Sequence, residues 1–151
     1  MMKKYALLII SFIVIFAASC KKDAQKPVHE SSWTINGTKY NIEFIIWSES
    51  GGQGEYVLQD KDGNMLRLGF LTKPASGISY GLVSSDLELT SSQFHLKAIG
   101  SYGAVSYKGE PKTINFTNDD QGITIKIPEI TLSSDTNTPN DVKLTASIFI
   151  P

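Results

Sequence analysis

Few residues in this chain combine the type and the spacing that chemistry requires. There is one cysteine, Cys20, and there are two histidines, His29 and His95, in 151 residues. A single cysteine excludes an intramolecular disulfide and denies a zinc site its usual thiolates. Neither histidine has a Cys, Asp or Glu at ligand spacing, and His95 alternates with Phe94 and Leu96, which points it outward. Residues 60–64 (DKDGN) look superficially like a calcium loop, but an EF-hand needs its glycine sixth and a glutamate twelfth between helices. Gly63 is fourth here, and strand patterns flank it, so the segment reads as a turn. Asp119 and Asp120 would need Asp135 or Asp141 beside them to hold a cation, and adjacent acids in a hairpin loop ordinarily form turns. Glu43, Glu55 and Glu88 qualify for acid–base work by type alone. There is no G-x-S-x-G elbow, and residues 51–54 (GGQG) precede no helix that would offer amides to a phosphate. Catalytic, cofactor and metal residues are therefore assigned as none.

Aromatic residues near loops are the remaining candidates. Trp47 falls on the opposite strand face from Phe44 and Ile46 and precedes the glycine-rich segment 51–54. Tyr102 and Tyr107 lie in a second glycine-rich stretch, SYGAVSYKG. Exposed aromatics in such places stack on sugars or on partner side chains, so Trp47, Tyr102 and Tyr107 are the candidate ligand contacts.

The elements that position these residues begin after an address. Lys3 and Lys4 precede an uncharged run over residues 5–18 (YALLIISFIVIFAA). That run is shorter than the roughly 20 apolar residues of a spanning helix and suits a secretory signal. Ala17, Ala18 and Ser19 then lead to Cys20, and FAASC resembles the bacterial lipoprotein signal, in the form common among Bacteroidetes, although Ala17 replaces the usual leucine. The resemblance implies cleavage before Cys20 and attachment of fatty-acyl chains to its thiol; the alternative is an ordinary signal peptide cut near Ala18. The resemblance is specific over residues 1–23. Beyond them it extends only to the general pattern of small, β-rich lipoproteins and implies no activity. Residues 20–32 are polar, contain Pro27 and read as the lipidated cysteine and a flexible tether.

Residues 33–151 read as one all-β domain. Large apolar residues alternate with polar ones at Tyr40/Ile42/Phe44/Ile46, Leu66/Leu68/Phe70, Leu87/Leu89, Phe94/Leu96/Ala98 and Val142/Leu144/Ala146/Ile148/Ile150, among other places. Asn36-Gly37 and Asp62-Gly63 are hairpin signals, and Pro128 predicts a bulge or an edge. The expected fold is an antiparallel β-sandwich or an up-and-down β-barrel of nine to ten short strands.

The formal net charge is -1, which lacks the basic excess of a nucleic-acid binder. The expected protein is a lipid-anchored, non-catalytic binding or interaction module at the outer membrane, periplasmic or surface-exposed. It meets the membrane through Cys20 and a ligand or partner through its loops. The alternatives are an envelope-polymer hydrolase or a structural assembly subunit.

Overall fold

Alternation along the chain becomes eleven strands. The computed structural model describes residues 29–136 and 140–151, and its regular elements are all strands. The expected signal peptide over residues 1–19, Cys20 and most of the tether lie outside the described residues. The first hairpin joins β1 (Ser32–Ile35) to β2 (Thr38–Asn41). Asn36 and Gly37 take φ values of 47° and 84°, two successive left-handed residues whose twist matches that of the strands they connect. β3 (Phe44–Ser50), β4 (Gln53–Gln59) and β5 (Met65–Phe70) follow as an antiparallel meander. The β4–β5 turn is built on Asp60. Its Oδ1 accepts hydrogen bonds from the amides of Asp62 and Asn64 at 2.9 and 2.8 Å, and its Oδ2 accepts one from Asn64 Nδ2 at 2.8 Å. The loop's own donors thus engage both oxygens of this carboxylate, which is 5% exposed.

The remaining strands are β6 (Ser79–Leu82), β7 (Gln93–Gly100), β8 (Gly103–Tyr107), β9 (Lys112–Asp119), β10 (Gly122–Ser134) and β11 (Val142–Ile150). Two of them divide an edge between two partners. β7 pairs with β5 along one edge, while its other edge meets β6 at its start and β8 from Lys97 onward. β10 pairs with β11 along one edge, and its other edge meets β9 at Gly122–Ile125 and β8 at Leu132–Ser134. Pairing of β6 with β9 completes a closed ring β6–β7–β8–β10–β9. β5, β4 and β3 extend from β7, and β11, β1 and β2 extend from β10. The all-β class is as expected, with a five-strand barrel at its centre. β10 passes through Pro128 by a register shift between Ile127 and Ile130, the bulge that a residue without an N–H requires.

Three local expectations are corrected. β6 and β7 pair in parallel, because the chain from Leu82 must cross over before β7 begins. Leu87 and Leu89 sit in that crossover and not on a strand, and Leu87 is 53% exposed. Phe44 and Ile46 do not continue the buried face begun by Tyr40 and Ile42. The chain turns a corner at residues 42–43, where the Ile42 amide donates to Ser31 O in the β1 direction and the Glu43 amide to Gln59 O in the β4 direction, each at 2.9 Å. Glu43 and Phe44 both face out, the alternation slips by one, and Ile45 and Trp47 are the residues packed on the core.

Four aromatic rings pack together in the core, Phe94, Phe116 and Tyr80 from strands of the barrel and Phe70 from β5 beside it. Phe70 stacks on Phe94 with centroids 5.4 Å apart, and Phe116 meets their edges at 5.9 and 5.7 Å. Tyr80 adds a fourth ring, 4.7 Å from Phe116. Such edge-to-face pairs add stability beyond the area they bury. Replacing Phe94 by Ala should therefore cost roughly 3–5 kcal/mol. Replacing Phe44 by Ser should cost well under about 1 kcal/mol, because its ring is already 58% exposed. Urea unfolding of the two variants tests the corrected register of β3: a similar loss in both would return Phe44 to the core.

Candidate functional site

Trp47 borders an open depression. β3 and β4 place it opposite Tyr56, with ring centroids 4.7 Å apart. Its indole lies across Gly54, where a Cβ would overlap Cζ2 of the ring. The glycine is thus required by the close approach of the tryptophan. The indole Nε1 donates to Glu49 Oε1 at 2.7 Å, and Lys73 Nζ stands 6.0 Å from the ring centroid, at the outer limit of a cation–π contact. Trp47, the β3–β4 turn at Gly51–Gly52, Leu71 and Lys73 line a depression of about 330 Å³. That is the low end of the size range of small-molecule sites.

Tyr102 and Tyr107 are placed elsewhere. Tyr102 follows β7, packs edge-on against Tyr40 at 5.7 Å, and its hydroxyl donates toward Met65 O at 3.5 Å. Burial pushes that hydroxyl up to about 12, against a smaller opposite pull from Trp33. Trp33 Nε1 itself completes no hydrogen bond. Tyr107 ends β8 inside the barrel, 2% exposed, and its hydroxyl donates to the Glu110 carbonyl. Trp47 lies near the Gly54–Phe70 end of the β4–β5 ladder, and Tyr102 reaches the Gln59–Met65 end. The structure therefore brings none of the three together.

A second concavity, of about 380 Å³, opens on the outer face of β4, β5, β7 and β8. It gathers His95 with two carboxylates, a convergence that sequence spacing did not show, because it depends on the register of four strands. Arg67 Nε donates to Glu55 Oε2 at 3.0 Å, and Arg67 Nη2 also bonds to Oε1. Lys97 Nζ lies 2.6 Å from Asp135 Oδ2, which also accepts from Ser106 Oγ at 3.0 Å. Desolvation pushes the Asp135 carboxyl up. The hydrogen bonds from Lys97 and Ser106 and the charges of Lys97 and Lys108 outweigh it and hold the group below the ordinary carboxylate range. Hydrolysis would need a carboxylate or imidazole placed to move a proton, and here each carboxylate is engaged by a cation. Among the described residues no cluster of three or more His, Cys, Asp or Glu could hold a metal ion. No family model, curated protein or solved structure matches the chain.

Two outcomes follow from this geometry. Gly54→Val should force the indole off β4, costing about 1–3 kcal/mol as overpacking does and red-shifting tryptophan emission; an unmoved spectrum would contradict the contact. Asp135→Asn should lower stability at pH 7. A carboxyl depressed in the folded state stabilises above its unfolded value of about 3.9 and loses that contribution as pH falls through the lower folded value. The deficit of the variant should therefore shrink below about pH 4 in pH-dependent thermal melts, whereas a constant deficit would mean that the carboxylate's charge is immaterial.

Proposed function

We propose that this chain is a non-catalytic binding or interaction module held to the outer membrane by acyl chains on Cys20. The observation that carries the reading is the position of the one cysteine, directly after FAAS and at the end of an uncharged run preceded by Lys3 and Lys4. One acyl chain binds a bilayer marginally, at about 0.8 kcal/mol per buried CH₂, whereas two or three chains hold a domain durably. Among the described residues no helix is long and apolar enough to cross a membrane, and the lipid supplies the attachment in this reading. The polar stretch after Cys20 is the tether, and the barrel is the rigid part it carries.

Binding is assigned to the domain's loops and concavities. The depression beside Trp47 supports it, because a half-buried indole next to two glycines offers a face on which a small ligand or a partner side chain can stack. Without Lys3 and Lys4 the exported part carries 12 basic and 15 acidic groups, too nearly balanced for a phosphate backbone as partner. Replacing Cys20 by Ser and fractionating the producing cells tests the anchor. The expected result is loss of the membrane-bound form, and intact-mass measurement of the wild-type protein should show added acyl chains. An unmodified mature N-terminus, or a Cys20→Ser chain that stays membrane-bound, would overturn the reading.

A further inference from the structure

Gly69 has no structural reason to be glycine. It lies inside β5 between Leu68 and Phe70, outside the left-handed region. A Cβ added there would meet only His95 Cβ, at an ordinary 3.9 Å. Glycine inside a strand weakens it, and its usual justifications are a bulge, a bend or the close approach of something else. Pairing of β5 with β4 and with β7 is continuous through Gly69, without a register shift. What remains is an approach from outside, onto the floor of the outer groove.

The walls of that floor indicate what approaches. Gly69 is flanked by Glu55 on β4 and His95 on β7, and one step along the ladder Arg67 stands directly opposite Lys97. Like charges directly opposed on neighbouring strands destabilise a sheet. Each of these two leans away to its own carboxylate, Arg67 to Glu55 and Lys97 to Asp135, and Lys108 Nζ lies 4.0 Å from the far oxygen of Asp135. The order of charge across the sheet is thus minus, plus, plus, minus, with the two cations side by side beside the bare glycine. The His95 imidazole borders the same floor, with its Nε2 closed off from solvent.

We infer that the groove over Gly69 is a binding site for the oxyanion group of a small solute, a carboxylate or a phosphate. The anion seats against the Gly69 backbone and bridges the guanidinium of Arg67 and the ammonium of Lys97, with the His95 imidazole at its edge. It draws the cations partly off Glu55 and Asp135, so affinity is moderate and salt-sensitive. The groove opens on the opposite face of the sheet from Trp47, and the inference does not rest on the lipid anchor.

The test uses the full chain in detergent, with backbone amide resonances followed by NMR during titration with sodium phosphate or sodium acetate, against sodium chloride at matched ionic strength. Saturable shifts at Gly69, His95 and Lys97 with either oxyanion, and not with chloride, are expected; phosphate alone or acetate alone identifies which group is recognised. Gly69→Val should weaken the titration at least tenfold while leaving the melting temperature unchanged or higher, since valine suits a strand better than glycine. Lys97→Gln, which leaves the floor open, should also weaken it at least tenfold. Shifts that track ionic strength alone, or binding undiminished in either variant, would overturn the inference.

Discussion

Closure of the backbone hydrogen-bond ladder around five strands is the constraint on which the rest of this structure depends. A strand has two edges, and β7 and β10 each give one wholly to an outer strand and split the other between two partners. That division lets two sheets share an interior without exposing the edges of the strands at its centre. It also explains why the short strand β8 can bridge β7 and β10, and why the parallel pairing of β6 with β7 is needed to finish the ring. The aromatic cluster of Phe70, Phe94, Phe116 and Tyr80 packs where three ring strands, β7, β9 and β6, meet the adjoining strand β5. Packing and ladder support each other: rings stack only where register brings them opposite, as Phe70 is opposite Phe94.

Much of this was legible where a local rule acts alone. Asn36-Gly37 admits few backbone conformations, so a hairpin followed from two residues. β5, β7 and β11 alternate without interruption, and their buried residues are those the period-2 pattern named. Pro128 predicted an interruption because it cannot donate to a ladder, and the register shift is there. The reading broke at residues 42–44, where the strand changes sheet. Period 2 presumes an unbroken pleat, and the corner places Glu43 and Phe44 both outside, so the pattern carried over from β2 puts the residues of β3 on the wrong face. Leu87 and Leu89 misled for a related reason: two apolar residues at spacing two do not make a strand when the segment must cross over.

The candidate site was legible in part, and unevenly. Trp47 was singled out for its place beside the glycines, and it does border a depression, although as a residue packed on the core through Tyr56 and Gly54. Tyr107 shares the same composition context and is buried, because nothing in a glycine-rich stretch tells an inward from an outward position until register is known. The outer groove was not legible at all. Its parts come from β4, β5, β7, β8 and the segment after β10, and no two strands place them at recognisable spacing. Alternation with Phe94 and Leu96 points His95 outward, and it does line the outer groove, yet its Nε2 is closed off from water.

Departures from local rules separate the two faces of the β3–β4–β5–β7 sheet. On the inner face each departure has a packing cause: Gly54 gives room to Trp47, and the slip after Ile42 brings Ile45 and Trp47 onto the core. On the outer face Gly69 and the directly opposed Arg67 and Lys97 break two rules within one patch, and no packing contact requires the glycine. Natural sequences tend to keep local preference and global fold in agreement, and unforced violations concentrate where something other than folding is being served. A valine at position 69 would make a better strand, and the sheet does not carry one. The outer face is accordingly the less optimised for folding, and its two departures meet beside the open Cα of Gly69.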